Sequence, residues 1–128
     1  MKTLEFSGRV FSGLGEGTRF VGLDWVQDQL MEKVGFKPFP GTLNLRLSEE
    51  CTILRSKLEK TVSYRICSPI GYCSGITYKA RVEELNCAIV IPEIRGYPKD
   101  VLEIIAPFNL RELLKINDGD KVSVSVCL

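Results

Sequence analysis

The 128-residue chain contains no histidine. Serine–histidine hydrolases and the common zinc enzymes need that side chain as a general base or a metal ligand, so the sequence excludes both classes. The chain has five cysteines, and none of them stands in a C-x-x-C pair, which argues against a zinc ribbon or a redox dithiol. We predict that the cysteines are reduced and pack as small hydrophobic side chains.

Long apolar runs are also missing. No window approaches the roughly 18 apolar residues of a membrane span, and Met1–Phe6 lacks the apolar stretch of a signal peptide. We therefore expect a cytoplasmic protein without a membrane partner. The net charge of +1, from 17 basic and 16 acidic residues, argues against a broad nucleic-acid surface, so no nucleic-acid partner is expected. The length predicts a single domain over residues 1–128.

Apolar and polar residues alternate in many short segments, which predicts strands near 4–10, 43–47, 62–66, 72–82, 86–91, 101–106 and 122–126. A further short strand is predicted at Arg19–Leu23. Asp24 is expected to cap a helix that ends at Gly35, and Asn109 to cap a second helix. Residues 48–60 form either a short helix or a loop. This pattern indicates a small β-barrel or an α+β fold.

The segment Ser12–Gly17 is dense in glycine and follows the first predicted strand. Such a turn lets backbone N–H groups approach a phosphate closely, although many glycine-rich loops only need a positive φ. It is not a P-loop or a dinucleotide fingerprint, because no Gly-Lys-Ser/Thr follows and no helix is expected to open at once. Thr18 and Arg19 could add a hydroxyl and a cation.

The segment Gly41–Leu45 reads as a strand on which Thr42 and Asn44 share one face. A hydroxyl oxygen and an amide oxygen side by side are hard ligands that suit Mg²⁺. The alternative is an ordinary solvated strand face. If the segment holds a metal, the glycine turn and this strand together suggest nucleotide chemistry without a Walker lysine.

A third segment places a carboxylate, Glu103, in an apolar strand and Arg111 in the first turn of the helix that Asn109 and Glu112 cap. A helix N-terminus already attracts anions, and a cation there strengthens such a site. The alternative is a capped surface helix with Arg111 in solvent. Phe108 could stack on a base or fill the core.

Taken together, Ser12–Gly17, Pro40–Leu45 and Glu103–Glu112 resemble the archaeal CTP-dependent riboflavin kinase family, as do Ala88–Pro92 and the Asp118–Asp120 turn. The resemblance covers nearly the whole chain. It implies a mainly β fold, a compact six-stranded cradle-loop barrel related to riboflavin synthase-like barrels, with two or three short helices. It also implies transfer of the γ-phosphate of CTP to the 5′-hydroxyl of riboflavin, which gives FMN and CDP.

The resemblance implies a role for each matching position. Mg²⁺ would be held by Thr42 and Asn44, and the flavin would be contacted by Glu103. The family has a second flavin contact, a threonine eight residues before that glutamate, where this chain has Arg95; Tyr97 or Arg95 could substitute. The positions that match the family's nucleotide contacts are Gly13, Leu14, Gly15, Glu16, Gly17, Thr18, Phe108, Asn109, Leu110 and Arg111.

Phosphoryl transfer depends mostly on positioning and charge stabilisation, which suits a chain without histidine. We expect Arg111 or Arg19 to offset developing negative charge, and Glu103 to orient the ribityl chain and to be a candidate proton acceptor. A monomer is expected. Two alternatives remain open: a DNA-binding transcriptional regulator of a related small-barrel fold, and a flavin or nucleotide carrier without catalysis.

Overall fold

Eleven short elements follow one another along the described part of the chain. The computed structural model describes residues 3–13, 16–61, 64–70 and 75–128, without the side chains of Glu16 and Gly17. The elements are β1 (Thr3–Phe11), α1 (Glu16–Gly22), α2 (Asp24–Val34), β2 (Leu43–Leu47), α3 (Glu49–Leu58), β3 (Tyr64–Ile66), β4 (Gly75–Val82), β5 (Leu85–Pro92), β6 (Val101–Ile105), α4 (Leu110–Leu114) and β7 (Lys121–Cys127).

Six of the strands form a closed antiparallel barrel in the order β4-β5-β6-β2-β1-β7. The barrel closes where β7 pairs with β4, at Ala80↔Val126 and Arg81↔Ser125. Strand β3 pairs with β4 outside this ring. Closure pairs the edges that an open sheet would leave exposed. The prediction of a six-stranded, mainly β barrel is confirmed.

The alternating pattern of β2 fills the barrel interior. Leu43, Leu45 and Leu47 point inward and are buried, because side chains alternate between the two faces of a strand. A second buried cluster lies outside the barrel, where Val21 of α1 and Leu30 of α2 pack with Val90 of β5. The two helices therefore cover one outer face of the barrel, and a different outer face remains available for a site.

The strand predicted at Arg19–Leu23 is wrong, because most of that segment belongs to α1. Phe20 and Val21 are adjacent in sequence and both buried, as a helix wedged against a sheet allows. The Phe20 ring packs edge-to-face on Trp25, with centroids 6.1 Å apart. It also occupies the space beside Gly75, where an added Cβ would lie 2.8 Å from the ring. This packing overrides the β propensity of the local sequence.

Helix α1 begins at Glu16, inside the segment Ser12–Gly17, so the expectation that no helix opens there is also wrong. The prediction that Asp24 caps α2 is wrong, because the cap is Leu23, which makes no side-chain capping bond, and Asp24 lies in the first turn. Gly35 ends that helix as predicted, with φ of 88°. The described residues hold four helices, one more than the upper expectation, and none is long and apolar enough to span a membrane.

The ambiguous segment 48–60 contains α3, whose N-cap Ser48 accepts a hydrogen bond from the Cys51 amide. Strands β3 and β4 confirm the predictions near 62–66 and 72–82 only in part, because Val62 and Tyr72 lie outside the described residues. Strands β5, β6 and β7 lie where the alternation predicts them.

Two cysteines of the described residues bear out the prediction of small hydrophobic behaviour, since Cys87 lies in the core and Cys51 packs against it, whereas Cys67 is exposed. Cys87 is buried in β5, and burial raises the pKa of its thiol to about 12. It is therefore a neutral core side chain at physiological pH. Cys51, Cys67 and Cys127 are free thiols, and Cys73 lies outside the described residues.

Candidate functional site: a hydroxyl, an amide and a carboxylate under the glycine turn

Thr42, Asn44 and Glu103 meet on the outer face of the barrel. Asn44 of β2 is the Cα partner of Glu103 on β6, and partners across antiparallel strands project to the same face. Thr42 lies two residues before Asn44, and its Oγ1 donates to Glu103 Oε1 at 2.9 Å. Glu103 is only 4% exposed. The strand register thus brings Glu103 to Thr42 and Asn44, although Glu103 lies 61 positions after Thr42 in the sequence.

Hydrogen-bond chemistry fixes the orientation of the Asn44 amide. With its nitrogen donating to Thr42 Oγ1 (3.1 Å) and to Glu103 Oε1 (3.0 Å), its oxygen accepts from the Gly13 N–H at 3.1 Å. The opposite orientation would set two donors, the amide nitrogen and the Gly13 N–H, against each other. Asn44 therefore joins the barrel wall to the start of the glycine turn.

The Asn44 amide lies so close to the backbone at position 13 that only glycine fits there. A Cβ at position 13 would lie 2.5 Å from the Asn44 amide atom that faces it, which is inside van der Waals contact. The predicted convergence of the glycine segment with the Thr42–Asn44 pair is confirmed at this contact. Leu14 and Gly15 lie outside the described residues, while Glu16, Gly17 and the exposed Thr18 belong to α1.

Arg111 links the third segment to the same turn. Its Nη2 donates to Asp118 Oδ1 at 2.6 Å and to the Phe11 carbonyl at 3.5 Å. Ser12 Oγ donates to the other oxygen of Asp118 at 3.0 Å. The hydrogen bond from Arg111, followed by that from Ser12, lowers the pKa of the Asp118 carboxyl below its usual value. Asp118 thus stays ionised at neutral pH and bridges Arg111 to the glycine turn.

A cleft of about 210 Å³ opens beside Thr42. Its walls include Gly41, Phe108 and Arg111, together with Phe39, which is 38% exposed. Asn109 and Leu110 also line it. The side chain of Asn109 accepts from the Glu112 amide at 3.3 Å and so caps α4, as predicted.

Phe39 was missed by the sequence analysis. The sequence did carry a signal, because Phe39 is an aromatic residue between Pro38 and Pro40. The two prolines exclude a helix at this position, so Phe39 cannot be buried as part of a helix face. An exposed aromatic ring on a cleft wall is a surface on which a heteroaromatic ring can stack.

A second cavity, of about 620 Å³, has a wall residue that contacts Glu103. Tyr97 lines this cavity, and its hydroxyl donates to Glu103 Oε2. Ile76, Ile91 and Arg55 are also part of the wall, and Arg55 is 2% exposed. Arg95 is exposed and is not among the described residues that line the cavity. Of the two possible substitutes for the family threonine, the structure brings Tyr97 into contact with Glu103.

The side-chain oxygens of Thr42 and Asn44 would fit a magnesium ion whose other ligands are phosphate oxygens and water. The described residues contain no group of three His, Cys, Asp or Glu side chains that could hold a metal. Thr42 Oγ1 donates to Glu103 and accepts from Asn44, and Asn44 Oδ1 accepts from Gly13, so each oxygen retains one lone pair. Mg²⁺ commonly takes a few protein oxygens and completes its shell with substrate phosphates and water.

The fold and the site together define a closed β-barrel protein in which a hydroxyl, an amide and a carboxylate meet beside a glycine turn. Comparison with known proteins agrees with this. The family labelled CTP-dep_RFKase, described as "Domain of unknown function DUF120", matches residues 10–126. Because the match covers almost the entire chain, the protein belongs to this family.

Curated relatives support the assignment. The chain is 44% identical over 124 residues to a riboflavin kinase of Methanosarcina mazei, covering 94% of this chain and 55% of that protein. It is 39% identical to a riboflavin kinase of Archaeoglobus fulgidus, covering 98% and 56% of the two chains. For a riboflavin kinase of Pyrobaculum islandicum the values are 36%, 98% and 62%. The chain thus spans about half the length of the curated relatives it matches.

Proposed function

We propose that residues 1–128 form a riboflavin kinase domain that transfers the γ-phosphate of CTP to the 5′-hydroxyl of riboflavin, giving FMN and CDP. The observation that carries the proposal is the contact set in which Asn44 joins Gly13, Thr42 and Glu103. These contacts bring together the segments Ser12–Gly17, Pro40–Leu45 and Glu103–Glu112. The proposed reaction needs all three segments at one site. The family match and the names of the relatives supply the reaction class.

The donor nucleotide is proposed to lie on the Gly13 side of Glu103. The cytosine would occupy the cleft of about 210 Å³, where Phe39 and Phe108 offer aromatic surface. Its phosphates would extend past Arg111 toward the glycine turn. Preference for cytosine over other bases requires hydrogen bonds to its edge that a wrong base would leave unpaired. In this proposal the choice of CTP rests on the family label alone.

The acceptor is proposed to enter from the opposite side of Glu103, through the cavity of about 620 Å³. Apolar Ile76 and Ile91 and the Tyr97 ring would accommodate a planar ring system, and the polar groups of the same wall would face a polyol chain. Tyr97 and Thr42 contact different oxygens of Glu103. That carboxylate is therefore hydrogen-bonded to one wall residue of each proposed binding region.

Thr42 and Asn44 would hold Mg²⁺, which supplies charge neutralisation for the phosphates when bound. The buried Glu103 carboxylate takes the Thr42 hydroxyl proton in a hydrogen bond, which leaves the oxygen lone pair pointing away from it. Arg111, held by Asp118, offsets negative charge on the phosphates. The 5′-hydroxyl oxygen forms the new bond to phosphorus as the bond to the CDP oxygen breaks, and Glu103 is the proposed acceptor of the hydroxyl proton.

Product analysis tests the proposal. The 128-residue protein is incubated with riboflavin, CTP and MgCl₂, and the flavins are separated by chromatography. We expect FMN to form, to depend on the metal, and to form more slowly with ATP in place of CTP. Flavin or nucleotide binding without FMN would favour a carrier. Salt-sensitive DNA binding without FMN would favour a regulator, and either result would contradict the proposal.

A further inference from the structure

An arginine occupies a core-facing position of α3. Arg55 and Leu58 are the buried residues of this helix, and residues three positions apart lie on the same helix face. Arg55 is 2% exposed. Arginine is almost never buried to this extent unless its charge and its N–H groups have partners. The partners of this guanidinium therefore decide what it does.

The surrounding protein satisfies the Arg55 guanidinium only in part. Its Nη1 donates to the Lys99 carbonyl at 3.3 Å. The same nitrogen lies 3.6 Å from Glu59 Oε1, which is an ion pair but too long for a hydrogen bond. Among the described residues, the enclosed Nε has no hydrogen-bond partner. Because a guanidinium carries several N–H donors and accepts none, Arg55 retains donors that a ligand can use.

Arg55 borders the cavity of about 620 Å³ in which the acceptor is proposed to bind. Its Cζ lies 5.9 Å from the centroid of the Tyr97 ring, and a ring face is too weak an acceptor to replace the missing partners. The Tyr97 hydroxyl donates to Glu103. One tyrosine thus connects Arg55 to the carboxylate at which the acceptor's hydroxyl is proposed to lie, so Arg55 would meet a different polar group of the same acceptor.

The charges on the cavity wall indicate what kind of group that is. Glu59 forms the ion pair with Arg55, and Glu93 forms one with Arg65. All four residues line the cavity, and Lys99, which also lines it, is exposed to solvent. An anion beside Arg55 would be repelled by the two carboxylates. A neutral acceptor, such as a carbonyl oxygen, takes the remaining N–H donors without that repulsion.

We propose that Arg55 donates to a carbonyl oxygen on the ring system of the acceptor and thereby helps to select a flavin. This inference rests on the proposed function. The ligand class is a planar heteroaromatic ring with carbonyl groups, and the pyrimidine ring of a flavin carries such oxygens at C2 and C4. A ring without them would leave the buried donors of Arg55 unpaired, which is the kind of loss that gives strong discrimination.

Arg55→Met tests the inference, because methionine keeps an unbranched stem and removes every donor. Lys57→Met is the matched control, an exposed residue of the same helix that does not line the cavity. Equilibrium dialysis measures the dissociation constants of riboflavin, of FMN, and of the riboflavin analogues that carry sulfur in place of oxygen at C2 or at C4. Sulfur is the weaker hydrogen-bond acceptor, so these analogues remove the proposed partner of Arg55 from the ligand.

We expect Arg55→Met to weaken the binding of riboflavin about tenfold, and to weaken the binding of FMN by the same factor. For the analogue altered at the contacted carbonyl, wild type and Arg55→Met should differ much less, because the hydrogen bond is already lost. Lys57→Met should bind each flavin as the wild type does. Thermal unfolding checks that the variants fold. If Arg55→Met does not fold, Arg55→Lys, which lacks the planar fork of donors, takes its place in the same comparison.

The outcomes separate this inference from the proposed function. If the wild-type protein binds no flavin, the proposed function fails and the inference with it. If FMN forms but Arg55→Met binds riboflavin as Lys57→Met does, Arg55 does not contact the acceptor. An equal loss of affinity for riboflavin and for both sulfur analogues would also overturn the inference, because Arg55 would then act only through the fold. So would a greater loss for FMN than for riboflavin, which would make the phosphate the partner of Arg55.

Discussion

A side chain at position 13 has almost no room beside Asn44. The Asn44 amide is held by Thr42, Glu103 and the Gly13 N–H, so it has little freedom to retreat. The same amide oxygen is a proposed Mg²⁺ ligand. Steric requirements and proposed chemistry therefore coincide at one atom, and a side chain at position 13 would press directly on the proposed metal ligand.

Gly13→Ala should displace the Asn44 amide and lower the affinity for Mg²⁺–nucleotide. The added Cβ would lie 2.5 Å from that amide, and we expect overpacking of this kind to cost about 1–3 kcal/mol of unfolding free energy. Gly22→Ala is the control, because nothing lies within 4 Å of a Cβ there and alanine favours a helix. Thermal unfolding and nucleotide titration measure both effects. Equal nucleotide affinity in the two variants would contradict this account.

The pattern of residue types predicted three of the side chains at the site. The two-residue period placed Thr42 and Asn44 on one face, and a carboxylate in an apolar strand marked Glu103. The contacts that join them could not be read from the sequence, because they depend on the register between β2 and β6. The sequence also left Tyr97 and Arg95 as alternatives. Both lie in a loop, where no periodicity predicts the direction of a side chain.

At the scale of elements, α4 presents Arg111 to the glycine turn. Asn109 caps this five-residue helix, and a helix so short depends on its cap and on tertiary contacts. The sequence predicted this cap correctly because a capping residue is a local signal. It failed at α1, where burial of Phe20 and Val21 against the second cluster decides the structure.

Asn109→Ala should lower the unfolding free energy by about 1 kcal/mol and weaken nucleotide binding, because Arg111 follows in the first turn. Asn109→Ser is the matched variant, since serine can accept the same bond from the Glu112 amide. Chemical denaturation and nucleotide titration report the two effects. We expect serine to restore both. If both variants bind nucleotide equally poorly, the amide itself contacts the nucleotide and the cap is not the cause.

At the scale of the whole molecule, barrel closure makes the site possible. Strands β1, β2 and β6 are neighbours in the barrel, although β1 and β6 are separated by most of the chain. The alternation of apolar residues predicted a small β-barrel or an α+β fold. The six-stranded barrel entered through the family resemblance, because periodicity identifies strands but does not pair them.

The central claim is that Asn44 is a ligand in a site that binds metal and nucleotide. The barrel itself does not need that ligand in order to fold. Asn44→Leu tests it most directly, with Asn86→Leu, an exposed asparagine on β5, as the control. FMN formation and thermal unfolding are measured for both variants. The account predicts that Asn44→Leu still folds, unfolds at a lower temperature than the control because the three hydrogen bonds of the amide are lost, and loses about 100-fold or more in turnover. Turnover equal to that of Asn86→Leu would contradict it.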